Sequence, residues 1–219
     1  MTDRPIIFSA PMVRALLDGR KTQTRRVLGK TGGDVNIFSP KVKWSDSYVL
    51  DPGNKDWRAK YTPYASGDRL YVREAHAMVP STAYRMSEGV TQAVNPKDRD
   101  RACIYREGWD RSTGGLRWRP SIHMPRWASR LTLIITDVRV QRLQAISEAD
   151  AIAEGIKPHG DFFTGYGKAA DQWMGPLDSF ASLWISLHGY EGWDENPWVV
   201  ALTFDVVRQN IDQMPGVVE

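Results

Sequence analysis

The chain has 219 residues, 42% hydrophobic and 25% charged, a globular mix able to bury a sizeable core. Its formal charge of +3 is too small by itself to specify a nucleic-acid partner. One cysteine, Cys103, excludes an internal disulfide framework, and four scattered histidines beside it lack zinc-ligand spacing, so neither metal nor cofactor is expected.

Taken in chain order, Ile6-Ile7-Phe8 is a short apolar run that predicts a first strand. Ser9 then stands where a helix cap belongs, with Pro11 in the first turn. Met12, Val13, Leu16 and Leu17 form the apolar stripe, and Gly19 ends it. A basic segment, Arg20 to Arg26, follows at once. Residues from about 28 to 66 are rich in Gly, Asp, Ser, Lys and Pro without a sustained period, which predicts an inserted loop. Gly67-Asp68 turns into Arg69 to Glu74, which alternates as a strand does. A second insertion, about 77–120, reads as irregular over 77–100, with a short strand at Ala102 to Tyr105 and a turn at Gly114-Gly115. Arg130 to Val140 is long and β-branched, the strongest strand pattern in the chain, with a bend expected around Asp137.

Ser147 opens the next helix, with Asp150 three residues on as a short-armed capping box. Its expected buried stripe is Ala149, Ile152, Ala153 and Ile156. Glu154 lies opposite, on the face it shares with Asp150. Ser179 to Leu187 is a further amphipathic helix, with Phe180, Leu183, Trp184 and Leu187 inside. Pro197 to Val206 is a closing strand, and the tail after Arg208 is expected to fray. Short strands separated by irregular stretches predict one α+β domain over 1–219, a small mostly antiparallel barrel with helices at its ends. No run approaches a membrane span, and the N-terminal apolar run is too short for a signal peptide. A cytoplasmic protein with no membrane partner is therefore expected.

Two regions carry chemistry. Residues 14–30 hold Arg14, Arg20, Lys21, Arg25, Arg26 and Lys30 against Asp18 alone. In an extended strand Thr24 and Arg26 share a face and Lys21 points away, so a turn near Thr22 is needed to bring Lys21 to Thr24. A lysine whose pKa is depressed by burial and neighbouring cations can activate a hydroxyl. The same cluster can also bind phosphate, or be a solvated face. Glu154 is either a solvated carboxylate or, if its helix end abuts the basic segment, a proton carrier. The second region, 99–130, interleaves eight arginines with Tyr105, Trp109, Trp118 and Trp127. That composition pairs phosphates and stacks bases, or forms a basic face over packed aromatics. His76, His123, His159 and His188 fall in unrelated contexts and read as structural or exposed.

Pro11 to Arg26 resembles the opening helix and Gly-x-Lys-x-x-Thr-x-Arg signature of ASCH domains. The resemblance continues through Gly67 to Glu74, Ser129 to Gly155 and Asn196 to Val206. It is strongest toward the long ASCH proteins of bacteriophages and prophages. It implies a PUA-like β-barrel, a fold associated with RNA binding. Small members are amidohydrolases that deacetylate N(4)-acetylcytidine. Carried onto this chain, their catalytic Lys and Thr imply Lys21 and Thr24. Their catalytic Glu, counted eleven residues on from Leu143, implies Glu154. Arg26 matches the motif's terminal arginine, a substrate contact, and Arg20 stands beside it in the same role. The implied partner is a modified nucleoside, or RNA or DNA reached through the Arg- and Trp-rich insertions. Non-catalytic nucleic-acid binding and ribonuclease activity stand as alternatives.

Overall fold

The computed structural model describes residues 2–28, 45–55, 60–112 and 114–214. Much of the insertion expected over about 28–66 lies outside them, as does the end of the tail. In chain order the elements begin with β1 (Asp3–Ile7), α1 (Ala10–Leu17), β2 (Gln23–Val27) and α2 (Asp46–Leu50). Then come β3 (Arg69–Arg73), β4 (His76–Pro80), β5 (Gln92–Asn95), β6 (Asp98–Tyr105) and β7 (Thr132–Arg142). The chain closes with α3 (Glu148–Ala153), β8 (Pro158–His159), β9 (Phe162–Thr164), β10 (Trp173–Met174), α4 (Pro176–Asp194) and β11 (Trp198–Val207).

The fold is α+β. Its principal sheet has the order β1-β3-β7-β11-β2, with β1 parallel to β3 and every other neighbour antiparallel. β7 and β11 form the long central ladder. The expected bend is a bulge there: Asp137 opposes Thr203 and Ile135 opposes Phe204, leaving Thr136 as the extra residue. Alternate residues of these strands, among them Leu133, Ile135, Val200, Leu202 and Phe204, enter the main core. Met12, Val13 and Leu16 of α1, and Phe180, Leu183 and Trp184 of α4, join the same cluster. Leu187, expected in the stripe of α4, is 54% exposed instead. The helix kinks at Gly189 beyond it, and Trp184 Nε1 reaches past the kink to the Gly192 carbonyl. The end of α4 therefore folds over Trp184 and not over Leu187.

The expected barrel is not closed among the described residues. β1 and β2 are the two edge strands, and no main-chain ladder joins them. One side chain does: Arg26 of β2 donates through Nη2 to the Ile7 carbonyl of β1 at 3.0 Å.

The stretch 77–100, expected to be irregular, is instead two strands of a second sheet, ordered β4-β6-β5. Each strand buries few apolar groups of its own, so its pattern is faint, and pairing with β6 supplies the order. The faces of β6 alternate between two small cores. Ala102 and Ile104 pack with Ala77 and Val79 under Tyr84, Trp109 and Trp118. Cys103 and Tyr105 pack with Met124 and Ala128. Several of the insertion's aromatics are therefore packing groups. β8, β9 and β10 form a third, short antiparallel sheet in the order β10-β9-β8.

The tail after Arg208 is docked, not frayed, as far as residue 213. Asn210 Nδ2 donates to the carbonyls of Arg126, Trp127 and Ser129, and Ile211 is buried. No helix among the described residues is long and apolar enough to cross a membrane.

Candidate functional site

The end of α1 decides where Lys21 points. Asp18 closes the helix and Gly19 takes φ +74, the left-handed conformation that suits glycine. The main-chain N–H groups of Arg20 and Lys21 then both return to the Ala15 carbonyl, at 2.9 and 3.1 Å. Thr22 N–H donates to Ala153 at the end of α3. The turn expected near Thr22 thus falls earlier, at Gly19 to Lys21, and it drives the lysine inward toward α3. Lys21 is only 1% exposed.

Its ammonium donates to three acceptors, each at 2.8 Å: the Gln23 carbonyl, the Glu154 carbonyl and Glu154 Oε2. Phe8 lies alongside, its ring centre 5.5 Å from Nζ. α3 reaches this close because Gly155, at φ +87, has no side chain. A Cβ there would stand 2.7 Å from Lys21 Cβ.

Glu154 is 4% exposed, whereas Ile152 of the expected stripe is 45% exposed and Ala149 is exposed too. The apolar period chose the wrong face of α3. This helix is six residues long, and its neighbour across the gap is the basic strand β2. A carboxylate that meets two cations there gains more than an isoleucine meeting charge. Ala151 and Ile156 stay buried, and Ser147 Oγ accepts from Asp150 N–H as the cap pattern required.

β2 presents two faces. Gln23 and Arg25 point toward α3. The Arg25 guanidinium donates to Glu154 Oε1 at 3.0 Å, to Asp150 Oδ2 at 3.1 Å and to Gln23 Oε1 at 2.7 Å. Gln23 Nε2 reaches Asp150 Oδ1 and Thr203 Oγ1. Arg139 closes the outer side of Asp150. Lys21, Arg25, Glu154 and Asp150 thus form a charge-balanced quartet in which each carboxylate serves two cations.

Thr24 and Arg26 share the other face of β2, as alternation predicts. Arg26 Nη1 donates to Thr24 Oγ1 at 2.9 Å, and its guanidinium lies 5.0 Å from the Phe8 ring centre. Phe8 therefore touches both the lysine and the threonine's partner. Arg20 is placed differently. Its guanidinium caps α3 through the carbonyls of Gly155 and Ile156 and pairs with Asp18.

Burial drives the Lys21 pKa below that of a free lysine. The Glu154 charge opposes this, and the charges of Arg26 and Arg25 add to it. Burial likewise lowers Arg26. At Asp150 burial pulls upward, but hydrogen bonds from Arg139 and Gln23 outweigh it and hold the carboxyl below its usual range.

Lys21 and Glu154 are in direct contact; Phe8 lies between Lys21 and Arg26, and Thr24 is tied to Arg26 alone, on the opposite face of β2 from Arg25. Sequence reasoning missed Gln23, Asp150 and Phe8 as parts of the site, and took Arg25 only as a neighbouring cation, not as the partner of Glu154 and Asp150. The signal for Arg25 was present: a strand that buries one face of Gln-Thr-Arg-Arg must bury an arginine, and a buried arginine needs carboxylates. The matching pair was also visible, since Asp150 and Glu154 stand four apart on one helix face. Comparison with known proteins returned no matching family model, curated protein or solved structure.

Proposed function

We propose that this chain is a cytoplasmic ASCH-type hydrolase, PUA-like in fold, that removes an acyl group from a modified nucleoside such as N(4)-acetylcytidine. The observation that carries the reading is the direct, buried contact of Lys21 with Glu154, with Arg26 on Thr24 across the Phe8 ring, at the spacing of the Gly-x-Lys-x-x-Thr-x-Arg signature. The sheet whose edges are bridged by Arg26 is consistent with a barrel of that kind.

The chemistry begins with the pair. As an ammonium with three acceptors, Lys21 is a donor and not a base. One proton passed over 2.8 Å to Glu154 makes Lys21 neutral, and burial together with the charges of Arg26 and Arg25 loosens the lysine's hold on that proton. Neutral Lys21 then takes the proton of Thr24, or of a water that Thr24 orients, as oxygen attacks the acyl carbon. The C–N bond breaks, and the protonated Glu154 gives its proton to the leaving amine. The net transfer is one proton from nucleophile to amine. If Thr24 has been acylated, water repeats the attack and releases the acid. Arg26, already on Thr24 Oγ1, holds the substrate oxygen.

Purified protein incubated with N(4)-acetylcytidine should release cytidine, and Lys21→Met, which keeps the packing volume, should abolish the release. Absence of turnover across a panel of acylated nucleosides would overturn the proposal.

A second reading draws on the completeness of the lysine's hydrogen bonding. Three full acceptors are also what a structural ion pair has. Under that reading the quartet seats α3 on β2, and the chain is a non-catalytic RNA- or DNA-binding protein. Nucleic-acid retention with no turnover, unchanged in Lys21→Met, would favour it.

A further inference from the structure

A cleft of about 780 Å³ opens between the β4-β6-β5 sheet and the segment from Arg119 to Trp127. Its walls are largely apolar, with Met78, Pro80 and Trp127 among them. Its charged lining is Arg101 and Arg119, with His123 beside them, against the single carboxylate of Asp100. A second cleft of about 540 Å³ shares Arg119 and His123 and adds Arg117 and Trp118. The two make one continuous surface. Arg101 has an exposed ion pair with Asp98, whereas Arg117 and Arg119 have no carboxylate partner among the described residues. Most other arginines with a described role, such as Arg69, Arg126, Arg130 and Arg142, are paired.

His76 lines the cleft and is 0% exposed. Its Nδ1 lies 3.3 Å from the Glu74 carbonyl, so Nδ1 carries the hydrogen. Burial first, then the charges of Arg119, Arg73 and His123, oppose protonation against the pull of that carbonyl, and the ring is neutral near pH 7. Nε2 is then a lone-pair acceptor, and it has no hydrogen-bond partner among the described residues. A buried acceptor left unmade is uncommon in folded proteins and asks for a donor. Cationic groups along one surface, an aromatic wall and one buried acceptor describe a particular ligand: more than one phosphate, a ring to stack, and an amino group on that ring.

We infer that this surface binds a single-stranded nucleic acid, seating a base that carries an exocyclic amine against His76 Nε2 and Trp127, with its phosphates along Arg101, Arg119 and Arg117. This inference does not rest on the hydrolase reading, because it uses none of the residues around Lys21.

Fluorescence anisotropy of the whole protein with labelled twelve-residue oligo(C), oligo(A) and oligo(U) tests it. Oligo(C) and oligo(A) should bind at least fivefold more tightly than oligo(U), which offers no amine. Three phosphate contacts on a single strand give a log–log salt slope of about −2. Arg119→Ala and Trp127→Ala, both at the surface of the cleft, should each weaken binding about tenfold, while Lys168→Ala, in the turn between β9 and β10 and outside the cleft lining, changes it less than twofold. Cytidine monophosphate should compete only at concentrations more than a hundredfold higher. No binding at low salt would overturn the inference, as would equal affinity for the three oligonucleotides or for the mononucleotide. A loss in Lys21→Met as large as in Arg119→Ala would put the strand at the other site and would equally refute it. Circular dichroism of each variant separates loss of binding from loss of fold.

Discussion

Replacing Gly155 by alanine perturbs the seat of α3 on the end of α1. At φ +87 the new Cβ would stand 2.7 Å from Lys21 Cβ, 2.8 Å from Ala15 Cβ and 3.2 Å from Lys21 Cα. Two penalties add. A left-handed backbone costs an L-residue about 1–2 kcal/mol. Forcing a methyl into packed atoms costs about 1–3 kcal/mol more, so the total is roughly 2–5 kcal/mol. Gly19 supplies the control. Its φ is +74, but a Cβ there meets nothing within 4 Å. Gly19→Ala therefore carries the backbone penalty alone, about 1–2 kcal/mol. Both variants also stiffen the unfolded chain alike, and that contribution cancels between them. Urea unfolding of the three proteins should show equal slopes and a further loss in Gly155→Ala of about 1–3 kcal/mol. Any acyl-nucleoside turnover should fall about tenfold or more in Gly155→Ala, because Lys21 must move off its 2.8 Å contacts. Equal losses in the two variants would refute the claim that close packing on Gly155 positions the lysine.

Glu154→Gln leaves Lys21 and Arg25 as buried cations around a neutral amide, and should cost about 3–5 kcal/mol in urea unfolding. Lys21→Met should cost less, since Glu154 keeps Arg25; the reverse order would contradict the shared-carboxylate arrangement. The Cys103 thiol is buried and pushed up to about 12 by desolvation first, then by the Glu74 charge. With dithionitrobenzoate at pH 8 it should react roughly a thousandfold more slowly than a free thiol until urea unfolds the chain. Burial raises the Asp3 carboxyl, but Arg69 and Arg126 outweigh it and hold the group below its ordinary value of 3.8. A depressed carboxyl stabilises fully above its unfolded pKa and loses that stabilisation as pH falls through the folded one. The wild-type advantage over Asp3→Asn should thus be complete above about pH 4 and vanish on further acidification, as read by unfolding midpoints across pH 2–6.

Elements that carry their own apolar period were legible in the sequence. α1, β3, β7, α4 and β11 stand where their patterns put them, and even the β7 bulge falls one residue from Asp137. β4 and β5 were not legible, because their order comes from pairing with β6, a strand that begins with four charged residues. The docked tail was missed for a similar reason. Its anchor is one asparagine satisfying three carbonyls from residues more than eighty positions earlier, and no local pattern encodes that. At the site, Ser147 and Asp150 announced where α3 begins, but nothing in α3 states what lies opposite it. Burial of Glu154 follows from the charges of β2, which are known only once the two segments meet. The resemblance pointed to Glu154 where periodicity pointed to Ile152.

The quartet also sets an order of assembly. Lys21 meets Glu154 across 133 positions, and Gln23 meets Thr203 across 180. At synthesis rates of about 5–20 residues per second, β2 waits roughly 10–40 s on the ribosome for the strand that will pair with it. Through that interval it is an unpaired β-forming segment, the kind of stretch that recruits other chains. Two consecutive arginines, Arg25 and Arg26, keep it charged while it waits. The residues that later hold Glu154 and Thr24 thus act earlier as gatekeepers, and neutralising either should lower the soluble yield of nascent chain before it alters the finished fold.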